Sequence, residues 1–396
     1  MKRVLIEFYS PHTPENLLSV LNGIYDKVYY LYCPTEQAPK PSVRKQLDKV
    51  VTELLGIHPN FFVVPSLTVD MILEAFDSLY HPKHQYEIDI TGGNEIFIAA
   101  TGIFLRSKNA ENIRLHRYDI RSGKKSTNYP EILQEALPFP RFLSAEQTLA
   151  LNGTPPIQAP MPNFSGSALE NQLLTLWNAV KDNTKEWNHF CSMPSHGEPF
   201  TDGFVRKYLG EKDGDYRCYS VVINKLKSAG IIDKEQILAA NGKKYGEFQL
   251  KVPREALFLY DKAGSLLELY TALAVWRTRN FHDIRVGVTV DWNGKIEQKY
   301  RPDPRNEIDL FFMHGNLPVV VSCKNAVPIN EYLYEIMIMA KHYGGRYATP
   351  MLLATGRASP TVKKRAAEMG IILIDRIRFR SLEELSALFA KHFPTI

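Results

Sequence analysis

The first third of the chain alternates strand-like with helix-like segments, and this alternation constrains the fold more than any other feature. Short apolar runs such as RVLIEFYS, KVYYLYC and QYEIDITGG are typical of buried strands, and segments between them, such as SVRKQLDKVVTELLGI, carry apolar residues at helical spacing. One helical segment, NEIFIAATGIFLRS, is apolar around most of its circumference, so we expect it to be buried. The alternation predicts a parallel, doubly wound (Rossmann-like) α/β sheet.

The chain has 396 residues, which is too many for a single core, so several domains are expected. A proline-rich stretch from ALPFPRFLS to LNGTPPIQAPMPNFSG predicts a stiff, extended linker. We place the doubly wound domain at 1–140, the linker at 141–167, a middle segment at 168–253 and a second α/β domain at 254–396. The middle segment combines helices with the strand–turn–strand pattern ANGKKYGEFQLKV, which is typical of a small winged-helix-like unit.

Composition and charge narrow the class of protein. The net charge of +5 is compatible with a nucleic-acid partner but does not require one. The four cysteines are widely spaced and form no C-x-x-C pair, which is typical of free thiols in a reducing compartment. Apolar runs are too short for a membrane span or a signal peptide, so we expect a cytoplasmic protein without a membrane partner.

The stretch NEIDLFFMHGNLPVVVSCKN near the C-terminus has two apolar arms around the turn HGN and predicts a β-hairpin. Neighbouring side chains of a strand point to opposite faces, so Asp309 should face away from Ile308 and Leu310. On the second arm, Ser322 and Lys324 should share a face. The hairpin would therefore bring Asp309 and Lys324 together at one end of the sheet.

A carboxylate beside an ammonium group at a sheet end can bind a hard divalent cation and position a water molecule for attack on a phosphodiester. The same two side chains could equally form a salt bridge that only closes the hairpin. The neighbouring elements favour the first interpretation. A helix predicted to be amphipathic, GSLLELYTALAVWRTRNF, carries Glu268 and precedes the strands, and a helix with Glu331 and Glu335 follows them.

The segment DITGGNE joins a predicted strand to a predicted helix. Its two glycines allow a ligand to approach the main chain closely, and the N-terminus of the following helix offers free N–H groups that suit a phosphate. The loop YSPHTPEN after the first strand would lie beside it, at the carboxyl ends of the strands where open α/β sheets bind ligands. An ordinary strand–helix turn with a capping residue explains the segment equally well.

The order helix, three strands, helix, with an aspartate on the second strand and a lysine at the end of the third, resembles the PD-(D/E)xK restriction-endonuclease-like nucleases. The resemblance spans residues 264–375 and implies an α/β nuclease domain that uses Mg²⁺ or Mn²⁺. It implies that Asp309 and Glu268 bind the metal and that Lys324 is the catalytic lysine.

One position departs from that motif, because Ser322 stands where the family has a second acid. Ser322 would then line the site as a neutral group. Glu331 or Glu335 could supply the missing carboxylate from the next helix, Glu268 and Asp309 could suffice, or the site could be inactive.

The chain as a whole resembles the CARF-domain nucleases of type III CRISPR systems, in which a CARF domain precedes a nuclease domain. The resemblance implies an endonuclease for DNA, RNA or both that serves antiviral defence and is activated allosterically by cyclic tetra-adenylate. A two-fold symmetric ligand further implies a homodimer. The ligand-binding residues implied by the resemblance are Tyr9, Ser10, Thr91, Gly92, Gly93 and Asn94.

A different class of function remains open at this point: a ligand-responsive, nucleic-acid-binding regulator with a degenerate nuclease domain. It would use the basic residues of the middle segment on a helix and a wing, namely Lys225, Lys227, Lys243 and Lys244. These residues could also simply face solvent. Ser322 favours the regulator, whereas the order of Glu268, Asp309 and Lys324 favours the nuclease.

Overall fold

The structure is a computed structural model of the chain. It describes residues 1–108, 111–122, 124–129, 133–136, 141–165, 168–194, 204–210, 213–251, 259–260, 262, 264–292 and 305–395.

The N-terminal part is built on one large sheet. Its strands are β1 (Arg3–Phe8), β2 (Lys27–Tyr32), β3 (Asn60–Val63), β4 (Gln85–Asp89), β5 (Ile113–Asp119), β6 (Lys124–Tyr129) and β7 (Leu133–Ala136). In the described residues their order is β3-β2-β1-β4-β5-β6-β7, with parallel pairing up to β5 and antiparallel pairing beyond it. This order confirms the predicted doubly wound sheet.

Helices cover both faces of this sheet. They are α1 (Leu18–Asn22), α2 (Pro34–Gln37), α3 (Pro41–Leu55), α4 (Val69–Leu79) and α5 (Glu95–Lys108). Helices α4 and α5 pack on one face, and α1 and α3 pack on the other.

The prediction that α5 is buried all round is wrong. Its apolar side chains at Phe97 and Phe104 lie in the core, but Ile96, Ile98 and Ile103 are 36%, 41% and 49% exposed. The sheet covers only one side of the helix, so the second apolar side has no cover within the described part of a single chain.

The proline-rich segment contains regular structure, so the extended linker predicted there is corrected. Helix α6 (Ala145–Leu151) begins with a capping box between Ser144 and Gln147. Strand β8 (Pro156–Gln158) pairs antiparallel with a strand of the C-terminal sheet. Prolines are tolerated at an edge strand, so the same residues that predicted an extended connection also fit this place. The domain boundaries themselves stay a prediction.

The middle segment is a small α/β unit. It consists of α7 (Ala168–Val180), α8 (Thr184–Ser192), β9 (Phe204–Tyr208), α9 (Asp213–Ser228), β10 (Ile232–Ala240) and β11 (Lys243–Leu250). Among the described strands, these three form a separate antiparallel sheet in the order β10-β11-β9. The β10–β11 hairpin directly follows α9, which agrees with the predicted helix and wing.

The C-terminal part holds the second large sheet. Its helices and strands are α10 (Ser265–Thr278), β12 (His282–Asp291), β13 (Arg305–His314), β14 (Leu317–Lys324), α11 (Asn330–Met339), β15 (Thr349–Ala354), α12 (Pro360–Glu368), β16 (Ile372–Ile374) and α13 (Leu382–His392). The described strands run in the order β16-β15-β14-β13-β12-β8. Strands β12 to β14 form the predicted antiparallel meander, and β14 to β16 are parallel.

Helix α10 is buried on every side, although its sequence predicted an amphipathic helix. All residues from Ser265 to Val275 are buried. The helix lies between the C-terminal sheet, α7 and α13, and Trp177 of α7 stacks on Tyr270 with ring centroids 4.4 Å apart. Burial of this stretch leaves Glu268, its one charged side chain, only 7% exposed. No helix in the described part of the chain is long and apolar enough to cross a membrane.

Candidate functional site

The first candidate site lies where β13 and β14 separate. Main-chain pairing between these strands reaches Leu310 opposite Val321. Just beyond that pair, Oδ2 of Asp309 accepts a hydrogen bond from the Ser322 hydroxyl at 3.1 Å and another from the Cys323 N–H at 2.6 Å. The carboxylate thus continues the strand pairing with its side chain. Asp309 contacts Ser322, whereas Lys324, its predicted neighbour, contacts Glu335 of α11.

The strict alternation predicted for β13 is wrong at Asp309. Ile308 packs in the same core cluster as Val288, whereas Leu310 packs with Val286 in the core cluster on the other face. In both β12 and β13, the alternation of side chains between the two faces of the sheet is therefore interrupted where Gly287 lies opposite Asp309. Gly287 has a left-handed φ of 60°. A side chain at this position would be strained, and its Cβ would lie 3.2 Å from a carboxylate oxygen of Glu307.

Glu268 approaches the same place from α10. It is 7% exposed, and burial together with the negative charge of Asp309 raises the pKa of Glu268 to about 8. Burial also raises the pKa of Asp309, although the Cys323 N–H and the Lys324 ammonium pull it down. Two carboxyl groups share a water-poor environment, which favours protonation or a bound cation.

Lys324 does not form the hairpin-closing salt bridge considered above. Its Nζ lies 3.3 Å from Oε1 of Glu335 on α11 and 5.1 Å from the ring centroid of Tyr332. Glu335 is one of the two acids proposed to replace the missing carboxylate, and Glu331 is exposed one turn earlier on α11. Glu335 therefore orients the lysine and leaves Asp309 to its hydrogen bonds with β14.

Residues outside the sequence motif also line this site. Lys262 forms an ion pair with Glu307. A cavity of about 790 Å³ opens beside these two residues and Glu268. On the other side, the Asn325 amide, next to Lys324, donates a hydrogen bond to Asn188 of α8 at 3.0 Å. Sequence reasoning missed these residues because no motif links them to the hairpin.

The donor set fits a hard divalent cation that keeps much of its water. Asp309 and Glu268 supply two carboxylates, and Ser322 supplies a neutral hydroxyl. No group of three or more His, Cys, Asp and Glu side chains is arranged as a metal site in the described ranges. Mg²⁺ and Mn²⁺ are commonly bound through one or two carboxylates together with water and substrate phosphate.

The second candidate site is the turn between β4 and α5. Oδ1 of Asp89 accepts hydrogen bonds from the N–H and the hydroxyl of Thr91, and the Thr91 hydroxyl oxygen accepts the Tyr118 N–H at 2.8 Å. At the start of α5, Oδ1 of Asn94 accepts the N–H of Ile96 at 2.9 Å. These bonds fix the turn in a single shape.

The end of β1 packs against the two glycines of this turn. A Cβ atom at Gly92 would lie 3.1 Å from the Cβ of Ser10, and one at Gly93 would lie 2.5 Å from the Cβ of Phe8. Gly93 also has a φ of 91°, so a side chain is excluded there on two grounds. The predicted ligand residues thus lie together, but the Tyr9 ring, Ser10 and Gly92 are buried.

A buried polar network lies beneath the turn. The Ser19 hydroxyl donates to Asp89 at 2.5 Å and lies 2.7 Å from Nε2 of His116. Burial alone would raise the pKa of Asp89, but His116, Ser19 and Thr91 lower it overall, so the carboxylate that holds Thr91 stays charged. Burial and the charge of Asp89 raise the pKa of Glu7 well above its usual value. The sequence gives no sign of this network, because its members come from separate elements.

The loop after β1 also contacts the C-terminal part. The Tyr347 hydroxyl donates a hydrogen bond to Glu15, and the Thr13 hydroxyl donates to Oδ1 of Asn152 at 3.2 Å. A Cβ at Gly92 would lie 3.3 Å from the Cβ of Glu15. One short loop therefore lies between the glycine turn and the segment that follows α11.

No family model and no curated protein sequence matches the chain. Among the solved structures that match it are two that do so over almost the whole length, each with 16% sequence identity. Protein VC1899 from Vibrio cholerae superposes with a TM-score of 0.73 over 99% of this chain and 98% of its own. Can2 from Sulfobacillus thermosulfidooxidans, solved in complex with cyclic tetra-adenylate, superposes with a TM-score of 0.66 over 99% of each chain.

The chain has the fold of the CARF nucleases. This confirms the fold class predicted from the sequence, a doubly wound domain followed by a restriction-endonuclease-like domain. The glycine turn belongs to the N-terminal sheet, and the opening between β13 and β14 belongs to the C-terminal sheet.

Proposed function

We propose that the protein is a cytoplasmic, metal-dependent endonuclease of type III CRISPR antiviral defence that is activated by cyclic tetra-adenylate. One observation carries the proposal. Asp309 stands at the opening of two central strands with Glu268 on one side and Lys324 on the other, in a chain with the CARF-nuclease fold. This arrangement suits phosphodiester hydrolysis of DNA, RNA or both.

The chain's own groups divide the chemistry between them. Asp309 and Glu268 would hold Mg²⁺ or Mn²⁺, and the bound ion would acidify water and neutralise charge on the phosphate. Ser322 and the Cys323 N–H keep the Asp309 carboxylate in place. Lys324, oriented by Glu335, would donate a hydrogen bond to the attacking water or to the phosphate as negative charge develops there.

The glycine turn is the proposed activator site. Gly93 is exposed beside the N-terminus of α5, whose free N–H groups and partial positive charge suit a phosphate, whereas Gly92 is buried against the end of β1. Thr91 and Asn94, which are half-buried, would contact the ligand with their hydroxyl and amide groups, whereas Ser10 is 3% exposed and would support the turn instead. Tyr9 would position the loop rather than touch the ligand, because its ring is buried and its N–H donates to the Leu31 carbonyl at 2.9 Å.

The loop between β1 and α1 is the proposed connection between the two sites. Glu15 of this loop lies beside Gly92 of the glycine turn and also accepts the hydrogen bond from the Tyr347 hydroxyl. Tyr347 follows α11, which carries Glu335 and therefore affects the position of Lys324. A ligand activates only if it binds the active arrangement more tightly than the inactive one. A shift of this loop on binding would supply that difference in affinity.

The exposed apolar side of α5 supports a homodimer. Ile96 lies directly after the glycine turn and Ile103 lies two turns further along. Pairing of two α5 helices would place two glycine turns on either side of one two-fold symmetric ligand.

We expect Ile103→Glu to weaken dimerisation by roughly 30-fold or more, because a charge would be buried in the interface. Analytical ultracentrifugation over a dilution series measures this. Ile24→Glu, at an apolar residue that is 69% exposed elsewhere on the same domain, is the matched control. An Ile103→Glu protein that dimerises as tightly as this control would contradict the proposed interface.

The function itself is tested by incubating the protein with single-stranded DNA and with RNA, with Mn²⁺ present and cyclic tetra-adenylate added or omitted. We expect cleavage only when metal and activator are both present. The neutral Ser322, where the nuclease motif has an acid, favours a second function, that of a ligand-responsive regulator. Activator binding by calorimetry without cleavage under any condition would favour the regulator and contradict the nuclease.

A further inference from the structure

The ion pair between Lys262 and Glu307 lies over a glycine of β12, at the level of Asp309. In the pairing of β12 with β13, Gly287 lies opposite Asp309. A Cβ atom at Gly287 would lie 3.2 Å from Oε1 of Glu307 and 3.7 Å from Nζ of Lys262. The absence of a side chain at Gly287 therefore leaves the room that the ion pair occupies beside the candidate active site.

Glu268 lines the cavity beside this ion pair and is only 7% exposed. A Cβ atom at Gly264, two residues after Lys262, would lie 3.0 Å from Oε1 of Glu268, so the segment that carries Lys262 passes beside this carboxyl group. Among the residues that the structure describes, neither a hydrogen bond nor a salt bridge reaches the Glu268 carboxyl group. A buried carboxyl group without such a partner is costly, which indicates that the cavity takes a positively charged ligand.

Lys262 serves more than one carboxyl group. Burial alone would lower the pKa of Lys262, but its hydrogen bond to Glu307 and the negative charges around it raise that pKa overall. Those charges belong to Glu268, Glu307 and Asp309. One ammonium group thus faces three carboxyl groups, and a divalent cation would offset their charge more fully.

The ion pair can open without any change in the sheet. The side chains of Lys262 and Glu307 are 51% and 41% exposed, and exposed ion pairs contribute little to stability. The lysine ammonium is a compact charge on a flexible stem, so it can leave its partner by rotation of that stem. The other lysine of the site, Lys324, pairs with Glu335 instead.

We propose that Glu307 is a further metal-binding carboxylate of this site and that Lys262 holds it until a divalent cation takes the place of the ammonium group. The inference rests on the proposed metal-dependent function and adds to it a residue outside the nuclease motif. Glu307 would supply the acid that is missing at Ser322. While Lys262 holds Glu307, the acids of the site do not converge, in agreement with the lack of a group of three metal-binding side chains in the described part of the chain.

Titration of the full-length protein with Mn²⁺, followed by the electron paramagnetic resonance signal of the unbound ion, tests the proposal without any cleavage. It is carried out with and without cyclic tetra-adenylate. We expect Glu307→Gln to weaken Mn²⁺ binding about tenfold, because an amide replaces a carboxylate. Lys262→Met should tighten binding about tenfold, because methionine keeps an apolar stem and removes the competing charge.

Lys262→Arg separates displacement of the cation from a general effect of its charge. Arginine keeps the positive charge but grips a carboxylate through two parallel hydrogen bonds. If the residue at position 262 has to release Glu307, the arginine variant should bind Mn²⁺ several-fold more weakly than the wild type. An effect of charge alone would leave the affinity unchanged.

Two variants of the same domain serve as controls and should bind Mn²⁺ like the wild type. Lys363→Met removes a lysine that is 47% exposed and pairs with Asp375 at 3.0 Å, which matches Lys262 in exposure and in kind of partner. Glu331→Gln removes an exposed acid of α11. Thermal denaturation checks that each variant is folded.

Glu307→Gln and Lys262→Met proteins that bind Mn²⁺ like the controls would overturn the proposal, and so would a Lys262→Arg protein that binds it like the wild type. Cleavage by the wild type is measured separately. A wild type that binds Mn²⁺ and cleaves, with variants that bind normally, would overturn this inference and keep the proposed function. Variants that shift as expected while the wild type cleaves nothing would do the reverse, and a wild type that binds no Mn²⁺ in either condition would contradict both.

Discussion

Lys324→Ala is expected to lower single-turnover cleavage by about a thousandfold, which is the usual size of a positioned proton-transfer or charge-stabilising group. The lysine touches Glu335 and the Tyr332 ring, and Glu335 is half-exposed. Loss of the ammonium leaves Glu335 in contact with water, and the buried Asp309 keeps its hydrogen bonds from Ser322 and Cys323, so the free energy of unfolding should change only modestly. The rate is measured with enzyme in excess over a labelled strand, with Mn²⁺ and cyclic tetra-adenylate present.

Lys364→Ala is the matched control, because it removes an exposed lysine from α12 of the same domain. It should cleave like the wild type. A Lys324→Ala protein that is folded, binds the activator and keeps more than about a tenth of the wild-type rate would remove Lys324 from the proposed mechanism.

Glu268→Gln is expected to abolish cleavage and, without metal, to stabilise the protein at alkaline pH. The folded-state pKa of Glu268, about 8, lies above its usual value of 4.5. The folded protein therefore holds a proton that the unfolded chain releases, and stability present below about pH 4.5 is lost as the pH rises through about 8. Glutamine does not ionise, so the variant should be more stable near pH 8 by on the order of 2 kcal/mol.

Thermal denaturation in EDTA at about pH 5 and about pH 8 measures this difference. The variant and the wild type should melt at similar temperatures at the lower pH and separate at the higher one. Mn²⁺ should then stabilise the wild type more than the variant, because the variant lacks one carboxylate. A difference in melting temperature between variant and wild type that is the same at both pH values would contradict the raised pKa of Glu268.

Local sequence patterns were sufficient for the order of elements. The period-two and helical repeats predicted the doubly wound sheet and the β12–β14 meander, and the turn HGN predicted the hairpin that carries Asp309 and Ser322. These features depend on residues close together in the chain, for which spacing alone fixes the neighbours.

Features that depend on distant partners were not predictable in this way. The sequence of α10 predicted one side in contact with solvent. Helices α7 and α13 cover that side, so α10 is buried all round. One apolar side of α5 is exposed because no described element packs on it. Strand β8 joins a sheet whose other strands come much later in the chain. The Ser19, Asp89 and His116 network likewise forms only when three elements come together.

The most direct test of activation by the ligand is the cleavage rate of the wild type titrated with cyclic tetra-adenylate at fixed Mn²⁺ and enzyme concentration. We expect almost no cleavage without the ligand, a rise with added ligand, and a plateau at one ligand per two chains, as a shared two-fold site requires. Cleavage that is equally fast without the ligand would contradict it, and so would ligand binding that saturates while the rate stays at background.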